Sequence, residues 1–302
     1  MVMRIATFAL SDQMVAGALR TQATMANLQV QESSGLKSET IGGYGSDARH
    51  VINLQVSVTR AQSYIDAATL TDSKVQVMYS AVGSMVSVIT QLRTQLSAAT
   101  TGSSTGAASA INSAKQMLSQ MGSLLNTQYN GQHVFGGART STAPVDLSAF
   151  SSGTGSTTTA DTSYYKGDGE ISSVRVSDDE IVSYGVTADN PAFEQIMRVL
   201  KFVATSSSLS SSDITQALNL ADTALGATTT VQTSLSSAAS QIESASARQS
   251  DYMGFAQTLA SDLTGVDVAA VTAQLATYQA QLSASYSAIA KIQGLNLASY
   301  LR

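Results

Sequence analysis

The sequence lacks cysteine and tryptophan, and it has only two prolines and two histidines among its 302 residues. Without cysteine the chain can form neither a disulfide nor a thiolate metal site. Such a chain is compatible with a protein that crosses the envelope unfolded and needs no oxidative maturation outside the cell. His50 and His133 lie far apart in sequence, and a catalytic or metal site would need further polar partners beside them.

Charge is also scarce. Charged residues make up 12% of the chain, about half the usual share, and the net charge is -5. No cluster of Lys or Arg gives the electrostatic footprint of nucleic-acid binding, so we expect no nucleic-acid partner. Ser, Thr, Gln and Ala take the place of charged residues, which suits a subunit packed among copies of itself.

Long apolar runs are absent as well. No segment approaches about 18 continuous apolar residues, so we expect no membrane insertion. The short apolar stretch 5–10 is interrupted by Ser11 and Asp12, and no small-residue cleavage site follows it. We therefore expect that the protein, if it leaves the cell, does so through a dedicated exporter and without a cleaved secretory signal.

The sequence does contain two long, proline-free helical arms, one at each end of the chain. Residues 54–96 show the 4-3 spacing of a coiled-coil seam and would make a rod of roughly 65 Å. The last arm repeats this spacing from residue 271 onward. We predict a mainly α fold: a long antiparallel coiled coil or helical bundle of the N- and C-terminal arms, with a small β-containing insertion in the middle. The first seam would comprise Leu54, Val58, Ala61, Ile65, Ala68, Asp72, Val75, Tyr79, Val82, Val86, Ile89, Arg93 and Leu96.

The middle of the chain has a different composition. Residues 141–163 hold Ser, Thr and Gly runs with almost nothing to bury, which predicts a surface loop. Residues 172–186 alternate between apolar and polar, which predicts a small β-hairpin, and Asn190 with Pro191 matches the start of a helix. We expect three regions: a terminal coiled-coil inner domain of 1–45 with 255–302, a helical rod of 46–140 with 190–254, and an exposed loop and hairpin insertion at 141–189.

No enzyme is predicted from the polar residues. The glycine-rich stretch 41–45 lacks the preceding strand and the following Lys-Ser/Thr of a phosphate loop. Asp178, Asp179 and Glu180 are adjacent, whereas a calcium loop needs alternating ligands, so they are interpreted as solvated turn residues. We predict no catalytic residue, no metal site and no cofactor.

The apolar stripes of the two chain ends predict an assembly interface. An isolated helix of some 30 residues is marginal, because ordering costs about 1 to 2 kcal/mol per residue. We expect both ends to become ordered when many subunits pack them into a shared core. The predicted interface residues are Ile5, Phe8, Val15, Leu19, Val271, Leu275, Tyr278, Leu282, Ile289, Ile292, Leu297 and Leu301.

Short motifs in both arms resemble the bacterial flagellin superfamily. Ser33, Ser34, Gly35 and Leu36 are similar to the superfamily's Ser-Ser-Gly-Leu segment, and the apolar ending 295–302 closes in Leu-Arg as that of the superfamily does. Within the superfamily, residues 129–140 resemble the hook–filament junction proteins of the FlgL type, hook-associated protein 3. The residues that carry this second resemblance are Asn130, Gly131, Phe135, Gly136 and Gly137.

The resemblance implies a structural protein of the bacterial flagellum. Its expected partners are copies of itself, the neighbouring hook-associated junction protein, flagellin, and an export chaperone on the C-terminal helix. It implies an extracellular location, reached through the flagellar type III export apparatus. Two alternatives stay open: flagellin, the filament subunit itself, and another secreted helical tip or binding protein.

Overall fold

The computed structural model describes residues 2–100, 104–148, 150 and 155–294, with side chains except at 2–11, 104 and 292–294. The predicted mainly α fold with a small β insertion is confirmed. The helices of the described residues are α1 (Val2–Ser34), α2 (Ala48–Ala99), α3 (Ser104–Leu125), α4 (Pro191–Thr205), α5 (Ser211–Thr264) and α6 (Val268–Gly294), and a 3₁₀ segment, Ile41–Asp47, precedes α2. The strands are β1 (Gln128–Tyr129), β2 (Gln132–His133), β3 (Ser173–Arg175) and β4 (Ile181–Ser183).

The chain divides into two compact units. The terminal unit comprises residues 1–59 and 253–302, and the central unit comprises residues 60–252. In the central unit α2 and α5 run antiparallel, because Arg93 pairs with Asp222 whereas Gly83 lies beside the Gln232 side chain. Helix α3 packs against α4 in the same unit.

Helix α4 begins as the sequence predicts. The Asn190 side chain accepts a hydrogen bond from the Ala192 amide at 3.0 Å, and Pro191 occupies the first helical position, where its missing N–H costs nothing. Phe193 is fully buried and meets Phe135 edge to face, with ring centroids 5.8 Å apart. The N-cap thus fixes the helix whose apolar face lines the centre of the core.

The seam of α2 differs in phase from the predicted one. Half of the predicted row is buried as expected: Ala61, Ala68, Val75, Val82, Ile89 and Leu96. Leu54, Val58 and Ile65 are half-buried. At Asp72, Tyr79, Val86 and Arg93 the residues one position earlier are buried instead: Thr71, Met78, Met85 and Leu92. This phase leaves the two charged side chains at the edge of the core, where they need not lose their hydration.

By length and composition, residues Ile41–Ala99 could form a membrane-crossing helix. Short core helices of other proteins pass the same test when their apolar face is buried. Here the apolar face of α2 packs in the core of the central unit around Met78, Met85 and Leu92. The expectation of no membrane insertion stays a prediction.

The predicted exposed insertion is partly buried. Val145, Phe150 and Tyr164 lie in the core of the central unit, so the view of residues 141–163 as a purely surface loop was wrong. A buried ion pair ties this segment to α4, since Lys201 Nζ lies 2.6 Å from Asp161 Oδ2 and 4.3 Å from the centroid of the Phe150 ring. Few residues of the loop are large and apolar, but Val145 and Phe150 belong to the core of the central unit.

The predicted hairpin is present but short. Strand β3 pairs with β4 in antiparallel register, with Val174 opposite Val182. Val176 and Val182 are buried while Ile181 is exposed, so one face of the hairpin packs on the core and the other faces outward. The second strand pair, β1 with β2, was not predicted.

We expect Met85→Ala to lower the free energy of unfolding by about 2 to 5 kcal/mol, because it empties a fully buried site. Val86→Ala, one position along the same helix, is only part-buried and should cost less than half as much. Urea unfolding followed by circular dichroism gives both values. An equal or larger loss of unfolding free energy for Val86→Ala would support the predicted seam, in which Val86 is buried in place of Met85.

The Asp161–Lys201 pair predicts a stability loss in acid. Burial alone would raise the pKa of Asp161, but hydrogen bonds from Lys201 and Ser163 outweigh it and lower the pKa to about 2. Because the folded-state pKa of Asp161 is depressed, its ionised carboxylate stabilises the fold at pH values above the unfolded-state pKa of about 3.9. This stabilisation is lost as the pH falls toward the folded-state pKa. Urea unfolding from pH 7 downward should show a steeper acid loss for the wild type than for Asp161→Asn; parallel profiles would contradict the assignment.

Candidate assembly interface

The terminal unit is built on the antiparallel pairing of α1 with α6. Leu28 of α1 packs with Val271 and Leu275 of α6, and Tyr278 lies against this cluster. One turn away, the Thr272 hydroxyl donates a 2.8 Å hydrogen bond to the Glu32 carboxylate. The two ends of the chain therefore meet, as the layout of the arms predicts.

A short backbone bridge closes one end of this helix pair. Gly35 ends α1 with a positive φ of 70°, a conformation that favours glycine, and its carbonyl accepts a 3.0 Å hydrogen bond from the Val266 amide. The Lys37 amide donates to the Thr264 carbonyl at 2.7 Å, and the Lys37 ammonium donates to the Leu263 carbonyl at 2.7 Å. The Ser-Ser-Gly-Leu motif is thus the turn that brings the first arm onto the last.

The same bridge needs a glycine in the segment between α5 and α6. Leu36 and Gly265 form an antiparallel bridge, and a Cβ atom on Gly265 would lie 2.8 Å from the Ser261 carbonyl oxygen. Gly265 separates α5 from α6, and this break between the two helices was not predicted. A glycine within the otherwise helical run was the available signal.

The row of α1 that lies toward α6 differs from the row of the predicted assembly interface. Ala18 and Leu28 are buried on the row formed by Met14, Ala18, Thr21, Met25 and Leu28, which recurs at the 4-3 spacing. Val15 and Leu19, the predicted interface residues, lie one position round the helix and are 39% and 59% exposed. They face away from the helix pair.

The predicted interface residues of α6 differ in how far they are buried. Val271 and Leu275 are buried against α1, and Tyr278, Leu282 and Ile289 are half-buried. The side chains of three predicted residues, Ile5, Phe8 and Ile292, and all of Leu297 and Leu301 lie outside the described part of the structure. The α6 seam thus serves first to hold α1 within the same chain.

The terminal unit leaves more large apolar side chains exposed than it buries. Its buried apolar residues, among those described, are Ala18, Leu28, Val51, Ala256, Val271 and Leu275. Its exposed large apolar residues are Val15, Leu19, Val30, Leu36, Ile41, Ile52, Val56, Phe255, Leu259, Val268 and Tyr286. The central unit has the opposite balance. These exposed side chains give the terminal unit apolar helix surface that other helices could cover.

The second motif, at residues 130–137, forms a tight turn and a buried contact in the central unit. Asn130 and Gly131 both have positive φ, 49° and 75°, and form the two-residue turn between β1 and β2. Phe135 is fully buried, and a Cβ on Gly136 would lie 2.7 Å from the Arg139 carbonyl oxygen. A Cβ on Gly137 would overlap the Asp168 carboxylate.

The Asp168 carboxylate is held in place by this loop. The Ala138 amide donates a 2.8 Å hydrogen bond to it, and this bond, above all other causes, lowers the pKa of Asp168. His133 lies buried in β2, where its ring contacts the Asn126 carbonyl oxygen and the Gln128 amide. These polar groups organise the loop among themselves.

No cluster of three His, Asp or Glu side chains suited to a metal ion occurs among the residues that the structure describes. The predicted absence of a catalytic or cofactor site stays a prediction. What the terminal unit offers is apolar surface and exposed helix faces, which can bind other helices.

Comparison with known families agrees with the motifs in both arms. The model of the bacterial flagellin N-terminal helical region matches residues 5–140, and that of the flagellin C-terminal helical region matches residues 218–301. Together the two matches cover most of the chain. The chain belongs to the bacterial flagellin family. It is therefore a structural protein of the bacterial flagellum.

Solved structures share the fold of this flagellin-family chain at low sequence identity. A Vibrio parahaemolyticus protein described as flagellar hook-associated is 15% identical with a TM-score of 0.60, over 72% of this chain and 97% of that one. FlgL of Bacillus cereus is 14% identical with a TM-score of 0.47, over 68% and 96%. Hook associated protein-3 of Legionella pneumophila is 13% identical with a TM-score of 0.45, over 71% and 97%. No curated protein sequence matches the chain.

We expect Leu275→Ala to loosen α1 from α6 without affecting the central unit. Among the described side chains, Leu275 belongs to a cluster of three buried residues between α1 and α6, so its truncation removes a large part of that contact. Hydrogen exchange followed by mass spectrometry should show faster exchange in residues 14–34 and unchanged exchange in α3 and α4.

The matched control is Val268→Ala, on the same helix but 44% exposed. It should leave exchange in residues 14–34 within about twofold of the wild type, because little apolar area is lost. Equal acceleration by both variants would mean that α6 responds to any truncation, and the seam assignment would be wrong.

Proposed function

We propose that this flagellin-family chain is an adaptor at the hook–filament junction and polymerises through its terminal helices. The observation that carries the proposal is the terminal unit's excess of exposed over buried large apolar side chains. Such a surface is unfavourable in water and becomes favourable when copies cover it. The partners are copies of the chain, a neighbouring hook-associated junction protein on one side and flagellin on the other.

The junction role is favoured over the filament role by the loop at residues 129–140. Its Asn-Gly turn, the buried Phe135 and the two glycines that follow are the residues that resemble FlgL-type junction proteins. The fold shared with a hook-associated protein of Vibrio parahaemolyticus supports the same choice. The alternative is flagellin itself, since the two matching family models are those of flagellin.

The exposed faces of α1 and α6 also suit a chaperone before assembly. Both helices are held by few buried side chains, and an unassembled subunit would expose them to aggregation. We include in the proposal an export chaperone on α6 and passage through the flagellar type III apparatus to the outside of the cell. Binding of a chaperone to residues 268–294 would be measured by calorimetry with the isolated chain.

Seeded assembly tests the junction role directly. The purified chain is followed by light scattering and negative-stain microscopy, first alone and then with hook-junction fragments as seeds. A junction adaptor stays unassembled alone and adds a layer of limited length to the seeds. Long filaments without seeds would identify flagellin instead.

We expect Leu19→Asp to prevent addition to the seeds, because it places a charge on an exposed apolar face that assembly would bury. Leu19 is 59% exposed and does not face α6, so the folded subunit should keep its stability. The readout is the fraction of seeds that carry an added layer, with circular dichroism as the check on folding.

Leu70→Asp is the matched control for this variant. Leu70 is a helical leucine of nearly equal exposure, 57%, but it lies in the central unit. It should add to seeds within about twofold of the wild type. Normal addition of Leu19→Asp would count against polymerisation through this face of α1.

A further inference from the structure

The tip of the β3–β4 hairpin carries three adjacent carboxyl groups, and two of them are paired. Asp178 Oδ2 lies 3.0 Å from Arg60 Nη1 of α2, and Glu180 Oε2 lies 2.6 Å from Arg248 Nη2 of α5. These residues lie in the turn with side chains that are partly or largely exposed, as expected, but Asp178 and Glu180 also form ion pairs. Asp179, between them, is exposed and forms no ion pair in the described structure.

Further hydrogen bonds hold the tip in this position. The Tyr64 hydroxyl donates to Asp178 Oδ1 at 2.7 Å, one turn along α2 from Arg60. Arg175, on the hairpin itself, donates to the Asp178 carbonyl at 2.6 Å and so fixes the turn from within. The tip thus contacts α2 through two side chains and α5 through a third.

Arg60 of α2 and Arg248 of α5 both lie close to the ends of the residue range that forms the central unit. Arg60 is the first residue of the central unit, and Arg248 lies four residues before its last. The hairpin body is anchored independently, because Val176 and Val182 are buried and Lys74 lies over the Tyr184 ring at 5.5 Å. An anchored hairpin with one carboxylate directed to each helix can hold both helices at once.

We propose that the β3–β4 hairpin is a salt-sensitive brace that ties α2 to α5 at this end of the central unit. Both ion pairs are largely exposed, so each contributes little alone and is weakened by salt. Because they share one rigid hairpin, loss of either contact frees the tip from one helix and weakens its hold on the other. The proposal stands on these contacts and does not depend on the junction role.

The test compares Glu180→Gln, Asp178→Asn and the control Asp179→Asn by hydrogen exchange of the full chain in low salt. Glu180→Gln and Asp178→Asn should each accelerate exchange of residues 172–184 by up to about fivefold, the range of an exposed ion pair. Asp179→Asn changes the same net charge on the same tip and should leave exchange within about 1.5-fold of the wild type.

Salt provides the second readout. In 1 M sodium chloride the Debye length falls to about 3 Å and both ion pairs are screened, so the wild type should exchange as fast as the double variant of Asp178 and Glu180 does in low salt. The double variant of Asp178 and Glu180 should show no salt dependence in residues 172–184. Equal effects of all three single variants, or exchange that salt leaves unchanged in the wild type, would overturn the brace.

Discussion

The antiparallel pairing of α1 with α6 is the contact on which the organisation of this chain depends. It joins segments from the two extremes of the sequence, and few buried side chains hold it. The backbone bridge between Gly35 and Val266 fixes where the two helices begin their pairing. Because that bridge consists of main-chain hydrogen bonds, it does not require the neighbouring side chains. Apolar side chains beside it can therefore remain exposed.

The sequence predicts the helices well because their signals are local. The Asn190 cap, the Gly35 stop and the long proline-free runs each act within a turn or two of helix, where spacing and propensity decide the outcome. The phase of the α2 seam is not local. A 4-3 row can be continued at either of two positions, and here Met85 rather than Val86 joins a core whose other members are distant in sequence. The same reason hides the burial of Phe150 and Tyr164 in a loop rich in Ser, Thr and Gly.

The predicted assembly residues fall on two different faces of the terminal helices. Apolar residues at heptad spacing correctly marked α6 as a packing helix, yet Val271 and Leu275 pack within the chain. Val15 and Leu19 were chosen as part of the same stripe, but the structure turns them away from α6. Sequence spacing gives the faces of a helix without saying which partner each face meets, since an internal helix and a second subunit offer the same apolar surface.

The unequal packing of the two units links the fold to assembly. The central unit buries aromatic, methionine and leucine side chains in one continuous core, so it can fold without a partner. Among the side chains that the structure describes, the terminal unit buries few large apolar groups and exposes more of them, so neighbours that covered these groups would stabilise its helices. Binding that involves the ordered state alone shifts the equilibrium toward order by mass action. On the proposed junction role, the chain thus divides into a unit that can fold before polymerisation and one that polymerisation would stabilise.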